Sequence, residues 1–258
     1  MFKFAKKIFS ALKKILFSIG QYADLMLKVF KKHEKTPVFR RQIADEINNL
    51  GIDSLGIVAI ISVFMGAVVA IQTAHNITSA WIPAYTVGFT TRESIILEFS
   101  PTIICLILAG KVGSRIASEI GTMRVTEQID ALEIMGVNSA NYLILPKIVA
   151  AVIIFPILVV ISMFLGIFGG WLAATLMHVV STTAYYQGIT LDFIPYEVYY
   201  SVVKTIVFSF IITSISGYYG YYTNGGALEV GRASTKAVVM SSIMLIFFNL
   251  IITQLMLG

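Results

Sequence analysis

The chain has 258 residues, of which 57% are hydrophobic and 13% are charged, and its formal net charge is +5. About a quarter of the residues in an ordinary soluble domain are charged, and a soluble globule of this composition would expose large apolar patches. We therefore expect a single-domain integral membrane protein. One cysteine excludes an intrachain disulfide framework and a multi-cysteine zinc site, and three widely separated histidines argue against a histidine metal site.

The first predicted element is a basic amphipathic helix. Within residues 1–20 the lysines fall on one helical face, and phenylalanine, leucine and isoleucine take the other. This pattern is typical of a helix that lies in the membrane interface among anionic headgroups, rather than of a nucleic-acid-binding arm or a solvated basic tail. Lysines interrupt the apolar run, so we expect no cleavage as a signal peptide. We assign 1–35 to this interfacial region and 36–258 to the membrane domain.

Gaps in the charge pattern predict five spanning helices, each of about 20 residues. The fold class expected is an all-α integral membrane protein with an N-terminal interfacial helix. The second span is the least regular, because it contains Glu98, Lys111 and Arg115. The predicted spans are 54–74, 94–117, 148–174, 196–220 and 237–257.

Small residues recur at four-residue spacing in the predicted spans. Gly66 lies four residues from Ser62 and from Ala70, and Gly170 follows Gly166 at the same interval. Such spacing lets helices approach closely in lipid, although it also arises by chance in apolar helices. We take it as support for a compact bundle.

The distribution of basic residues predicts the orientation. Lysine and arginine concentrate in the N-terminal arm and in segments 111–147 and 221–236, whereas 75–93 and 178–195 contain Arg92 alone. Basic loops stay in the cytoplasm. We therefore expect a cytoplasmic N-terminus and a C-terminus on the opposite side of the membrane.

A polar segment separates the second and third spans. Thr126 is expected to cap a short helix that begins near Glu127. Ile129, Leu132 and Met135 would form an apolar ridge on that helix. A partner could hold such a helix, although a solvated loop helix explains the same pattern.

Three stretches resemble the MlaE/YrbE permease family, the membrane subunits of ABC-type lipid transporters that work with MCE proteins. They are AGKVGSRIASEIGTMRVTEQIDALEIMGV at 109–137, NGGALEVGRASTKAVVMSS at 224–242 and ILEFSP at 96–101. The resemblance extends from about residue 35 to the end. EFSP stands where ELGP is usual, the tyrosine-rich 218–222 is not a family pattern, and the N-terminal arm matches in character only.

The resemblance implies a homodimer in the bacterial inner membrane. Each copy would dock on a cytoplasmic ABC ATPase through a coupling helix at about 119–136, and a periplasmic MCE-domain hexamer would sit on the other side. A small regulatory cytoplasmic subunit is a further expected partner. The chain itself would bind no cofactor, because the ATPase binds ATP and magnesium, and the sequence has no G-x-x-x-x-G-K-[ST] loop. The implied coupling residues are Glu119, Gly121, Met123, Arg124, Glu127, Gln128, Asp130, Leu132 and Glu133.

Ionisable residues in the spans are candidates for a lipid cavity. A charge in hydrocarbon costs about 2.5–3.5 kcal/mol on insertion scales, so it usually faces a cavity or a partner. Glu98 and Lys204 lie at similar predicted depth, and Glu197 precedes Lys204 by two helical turns. We expect Glu98, Glu197 and Lys204 to line the cavity. Independent snorkelling of each side chain to the interface is the alternative.

Two other functional classes fit the composition. An ion-driven secondary transporter would favour internal repeats, and none is visible in the sequence. A membrane-embedded lipid enzyme needs a nucleophile with a base, or a metal cluster, yet His75, His178 and Cys105 have no recognisable companions. We therefore predict no catalytic or metal-binding residues. The identity of the lipid and the direction of transport stay open.

Overall fold

The computed structural model describes residues 2–31, 36–77 and 82–258. This part of the chain forms helices and no strands. Five helical stretches are long and apolar enough to cross a membrane, which confirms the predicted fold class. These spans one to five are Val38–Asn76, Thr86–Val125, Ser139–Leu176, Pro195–Tyr221 and Ala227–Leu257.

Consecutive spans run in opposite directions through the bundle, so spans one and three are parallel to each other, as are spans two and four. Several spans are longer than predicted. Span two has 40 residues, about 60 Å of helix, whereas the hydrocarbon core is about 30 Å thick. The charge gaps mark only the apolar part of each helix, so they missed the projecting ends. Short π-helical segments at Asn48–Ile52, Ile95–Ile103 and Ala109–Gly113 join consecutive α-helices. The α-helices are α1 (Phe2–Phe30), α2 (Thr36–Ile47), α3 (Asp53–Asn76), α4 (Thr86–Ser94), α5 (Ile104–Leu108), α6 (Ser114–Val125), α7 (Gln128–Ile134), α8 (Ser139–Leu176), α9 (Thr182–Thr190), α10 (Pro195–Tyr221) and α11 (Ala227–Leu257).

The second half of α1 docks against spans three and four. Leu25 and Val29 are fully buried. The Tyr22 hydroxyl donates to Ser214 Oγ at 2.9 Å, and Asn141 Nδ2 donates to the Val29 carbonyl at 2.6 Å. This end of the bundle, which also carries α7 and the turn between α10 and α11, is called the basic end below, and the end with α9 is called the far end. The side chains of 2–12 lie outside the described ones, so their predicted division into two faces stays a prediction.

Small residues bring spans one and three into backbone contact. A Cβ atom placed on Gly66 would lie 1.7 Å from the Gly166 carbonyl oxygen, and one on Gly169 would lie 2.1 Å from the Val63 carbonyl oxygen. No side chain fits at either position. The predicted close packing of these spans is therefore present, and a similar approach joins spans two and four, where a Cβ on Gly220 would meet the Ala117 carbonyl at 2.9 Å.

The coupling segment is built differently from the prediction. Residues 119–125 continue span two as the end of α6, and only α7 is a separate short helix. Thr126 does not cap α7, because its hydroxyl donates to the Thr122 carbonyl in the preceding turn at 2.8 Å. The residue before α7 is Glu127, with a left-handed φ of 61° and no side-chain capping bond. This reversal of the backbone turns α7 away from the axis of span two.

Candidate functional site

A cluster of polar side chains lies inside the bundle, between spans two, four and five. Lys204 is nine residues into α10, or about 14 Å from its start, and α10 is about 40 Å long. With α10 centred on a hydrocarbon core of about 30 Å, Lys204 lies below the headgroup level. The polar cluster consists of Glu98, Thr102, Tyr200, Ser201, Lys204, Asn249 and Thr253.

A proline explains why span four directs polar groups at span two. Pro101 lacks an N–H and lies within the π-helical segment Ile95–Ile103. Span four supplies donors to carbonyls in the turn before this proline: Ser201 Oγ donates to the Ile96 carbonyl, and Lys204 Nζ lies 3.4 Å from the Leu97 carbonyl. Side chains of span four thus provide hydrogen-bond donors to backbone carbonyls where the helix of span two is interrupted within the membrane.

Lys204 is fully buried and surrounded by acceptors. Its Nζ lies 2.9 Å from Glu98 Oε1 and 2.8 Å from the Tyr200 hydroxyl, and 4.8 Å from the centre of the Tyr200 ring. The side chain of Glu98 is 43% exposed, in contrast to 0% for Lys204. The ion pair therefore exposes its negative partner at the surface of the protomer and buries its positive one.

Thr102 of span two and two residues of span five complete the cluster, and sequence reasoning missed all three. Thr102 Oγ1 donates to Glu98 Oε2 at 3.0 Å, and Asn249 Nδ2 donates to the same oxygen at 3.3 Å. Thr253 Oγ1 lies 2.8 Å from the Tyr200 hydroxyl. Asn249 and Thr253 are four residues apart in an apolar helix, and therefore on one face. This four-residue spacing of two polar side chains was the signal in the sequence that could have identified them.

The structure does not bring Glu197 to Lys204. Glu197 lies in the first turn of α10, beside Arg92 and Glu93 of span two. Its Oε2 is buried and has no hydrogen-bond partner among the described residues. The two-turn spacing correctly placed Glu197 and Lys204 on one side of α10, but Glu197 faces the far end, so it is not part of the polar cluster.

Arg92 is a structural clamp at the far end. Its side chain is 1% exposed and pairs with Glu93. Its Nη1 donates to the Ile189 and Leu191 carbonyls at 2.8 and 2.6 Å, and Phe193 lies against the guanidinium. A residue that the sequence presents as a loop charge thus fixes the connection between α9 and α10.

Two of the implied coupling residues contact other parts of the bundle, although the Glu119 side chain is still 46% exposed. Both oxygens of Glu119 lie 2.9 Å from Lys147 Nζ, which also contacts Glu46 at 2.5 Å. Gly121 is buried, and a Cβ there would lie 3.3 Å from Thr223 and from Val230. These residues join α2, α6, α8 and the turn before α11.

Ionic and polar contacts fix α7 to the bundle. Arg124 Nη1 lies 2.6 Å from Asp130 Oδ1 across the turn between α6 and α7. Glu133 accepts from the Ser139 hydroxyl and from the Tyr221 hydroxyl, each at 2.9 Å. The bonds from Ser139 and Tyr221, with the Arg124 charge, hold the pKa of Glu133 below its ordinary value.

The apolar ridge predicted on α7 is only partly correct. Ile129 is fully buried and Leu132 is half-buried against the core, whereas Met135 is 68% exposed. Ile134, which the ridge omitted, is 87% exposed. The ridge residues therefore divide between two sides of α7, because its inner side packs on the bundle. The remaining implied residue of α6, Met123, is half-buried, and Glu127, Gln128, Ile134 and Met135 form the exposed surface that we call the α7 patch.

Comparison with known proteins decides the family. The family model described as Permease MlaE matches residues 43–255. The chain belongs to the MlaE permease family. This MlaE-family permease is 38% identical over 238 residues to a probable ABC transporter permease protein of Rickettsia bellii, with 92% of each chain covered.

Two more distant relatives also match most of this chain. A probable ABC transporter permease protein of Synechocystis is 33% identical and covers 84% of this chain and 82% of its own. The chloroplastic protein TRIGALACTOSYLDIACYLGLYCEROL 1 of Arabidopsis thaliana is 30% identical, with 80% of this chain and 59% of the plant protein covered. The MlaE-family permease is thus a multi-pass membrane subunit of an ABC transporter, and an ATPase partner follows from that membership.

Proposed function

We propose that this permease moves phospholipid, or a similar lipid, between the bacterial inner membrane and a periplasmic MCE-domain protein. It works as a homodimer with its N-terminus in the cytoplasm, and a separate ABC ATPase supplies the energy. The observation that carries the proposal is the buried Glu98–Lys204 pair within the spans, whose carboxylate is half-exposed.

Burying two charges at this depth has a cost in desolvation free energy, which is offset only by close pairing and further hydrogen bonds. Charged side chains within spans face a bundle interior or a water-containing cavity, and they mark substrate pathways. Glu98 accepts from Thr102 and Asn249 in addition to Lys204, so its partly exposed charge is held in place by three donors. The name of the Arabidopsis relative contains trigalactosyldiacylglycerol, a glycerolipid, which supports a lipid substrate.

The two ends of the bundle suit different partners. The basic end carries the α7 patch, in which Glu127 is exposed at the start of α7, and Ile134 and Met135 are exposed at its end. An apolar centre beside charged residues is a surface that a protein partner can cover, and we assign it to the ATPase. The far end, fixed by the Arg92 clamp, is assigned to the MCE protein.

Span five supports the homodimer. The second half of its helix exposes large apolar side chains, including Met244, Phe247 and Leu250. Asn249 on the same helix contacts Glu98. A second copy packed beside span five would enclose the exposed part of Glu98 between two protomers.

Lipid transfer by the reconstituted complex tests the proposal. The permease, its ATPase and the MCE protein are combined in vesicles with a fluorescent phospholipid, and transfer to the MCE protein is measured with and without ATP. We expect Glu98→Lys and Lys204→Glu each to lower ATP-dependent transfer, and the double swap to recover part of it, because coupled sites are non-additive by about 0.5–3 kcal/mol.

A second ion pair provides the matched control. Asp24 and Lys28 form an exposed pair at 2.8 Å on α1, outside the spans. Swapping these two charges should leave transfer near wild type. Strictly additive losses at Glu98 and Lys204, with normal ATPase rates, would remove the pair from the mechanism. Transfer that follows an ion gradient without ATP would indicate a secondary transporter, and a chemically altered lipid would indicate an enzyme.

A further inference from the structure

A cavity lined by tyrosines opens at the basic end, between α1, α10 and the start of α11. Its volume is about 300 Å³, at the lower limit of small-molecule sites. It lies at the opposite end of spans four and five from the polar cluster. Three tyrosines of one segment, Tyr218, Tyr219 and Tyr222, face it together with Gln21, Glu229 and Lys236.

The aromatic rings are set at steep angles to one another. Tyr219 and Tyr222 each have ring centres 5.3 Å from that of Tyr218, with interplanar angles of 75° and 60°. The Tyr218 hydroxyl donates to Gln21 Oε1 at 3.1 Å, which joins the rings to α1. The three rings thus pack edge to face and together line one side of the cavity. The electron-rich face of a tyrosine ring that lines a cavity can bind an ammonium group through a cation–π contact.

The charges that line the cavity have opposite signs. Glu229 contributes a carboxylate, and its Oε1 pairs with Arg232 at 2.5 Å. Lys236 lies two turns further along α11 and has no ion-pair partner in the part of the chain that the structure describes. A ligand that carries both an ammonium and a phosphate would match tyrosines and Glu229 at one end, and Lys236 at the other.

An apolar groove continues from the same cavity. It has a volume of about 590 Å³, runs along α11 past Leu228, Val239 and Met240, and shares Tyr219 and Lys236 with the tyrosine-lined cavity. Lys236 lies nine residues into α11, and a lysine at this depth extends its charge towards the headgroup level while its stem lies along apolar surface. The polar cavity and the groove together therefore suit an amphipathic ligand.

We propose that this cavity and groove bind a phospholipid with an ammonium-bearing headgroup, such as phosphatidylethanolamine. The tyrosine rings and Glu229 hold the ammonium, Lys236 holds the phosphate, and an acyl chain lies in the groove on α11. This lipid site is separate from the polar cluster and does not depend on the transport proposed above. Tyrosines that merely belong to the interfacial aromatic belt would show no headgroup preference.

Lipid retention by the purified full chain tests the site. The chain is placed in nanodiscs with equal amounts of phosphatidylethanolamine and phosphatidylglycerol, released into detergent, and analysed by native mass spectrometry. We expect phosphatidylethanolamine to be retained over phosphatidylglycerol by about threefold or more. Tyr219→Leu should abolish the preference and Tyr219→Phe should keep it, because phenylalanine retains the aromatic face. Lys236→Met should reduce retention of both lipids, since both carry the phosphate.

Two controls keep the test decisive. Tyr199→Leu removes an exposed tyrosine at the far end and should change nothing. Glu229→Gln preserves shape, so it should weaken the preference even if Tyr219→Leu fails to fold. Equal retention of both lipids by the wild type, or an equal loss in Tyr199→Leu, would overturn the site. Displacement by free phosphoethanolamine as readily as by lipid would overturn the role of the groove. A preference that persists in a chain without transport activity would leave this site standing while the proposed transport failed.

Discussion

Glu98 and Lys204 contact each other, yet the two side chains differ in burial. Lys204 is fully buried, whereas Glu98 is 43% exposed. An unpaired charge is costly in proportion to how completely it is removed from water. Removing either partner should therefore have unequal consequences for the stability of the bundle.

Glu98→Ala should lower the free energy of unfolding more than Lys204→Met. Loss of Glu98 leaves a buried ammonium unpaired, at a cost of about 3 kcal/mol. Loss of Lys204 leaves a carboxylate that water can reach, and methionine refills the apolar space, so we expect about 1 kcal/mol. Thermal unfolding of both variants in nanodiscs measures the difference. Equal losses would show that the carboxylate is as enclosed as the lysine in the native assembly.

Glu133 should make α7 docking sensitive to acid. Bonds from Ser139 and Tyr221 lower the pKa of Glu133 in the folded protein. Its stabilisation is therefore complete above the unfolded pKa, about 4.3, and is lost as the pH falls towards the lower folded pKa. The difference in melting temperature between wild type and Glu133→Gln should be largest at neutral pH and shrink below about pH 4. A difference that grows in acid would contradict this role.

Among the elements, α7 combines an anchored side with an exposed one. Ile129 is buried and Leu132 half-buried, so substitutions there act on folding. Ile134 and Met135 are exposed, and apolar side chains in that position favour contact with a partner. Partner binding and folding can thus be separated on one short helix.

Ile134→Asp should weaken copurification of the ATPase by about tenfold or more while leaving the melting temperature of the permease unchanged. Glu127→Lys should act in the same direction. Leu132→Asp should instead lower the melting temperature, because the charge would enter the core. Asp45→Lys, a charge reversal at an exposed position of α2, is the matched control. Wild-type recovery of the ATPase with Ile134→Asp would exclude the α7 patch as its docking surface.

At the scale of the whole molecule, backbone contact between spans one and three sets the shape of the bundle. Gly66 and Gly169 each lie against a carbonyl of the facing helix, so even a methyl group cannot be added without moving a helix. In lipid, where apolar burial contributes little to helix association, such close packing is a main source of stability.

Gly66→Ala should therefore destabilise the bundle, by about 1–3 kcal/mol or more. Gly56→Ala, in the same span, meets nothing within 4 Å, and it should be neutral or stabilise by about 0.4–1 kcal/mol. The ratio of folded to unfolded protein in a denaturing detergent mixture measures both. Equal effects would show that helix propensity, and not contact between the spans, decides stability at these glycines.

The sequence by itself determined the membrane class, the five spans and the family. Hydrophobic length is a local property, and the segment 109–137 is long enough to be specific. It also placed Glu98 and Lys204 at similar depth, because depth follows from position along each helix.

Only the tertiary structure decided which faces meet. Helix rotation and the packing between spans brought Asn249 and Thr253 to Glu98, and turned Glu197 towards Arg92. They also buried Ile129 and exposed Ile134, although both lie on one short helix. A helical pattern gives the angle between residues on the same helix, but which side faces the bundle depends on how all the spans fill the space between them.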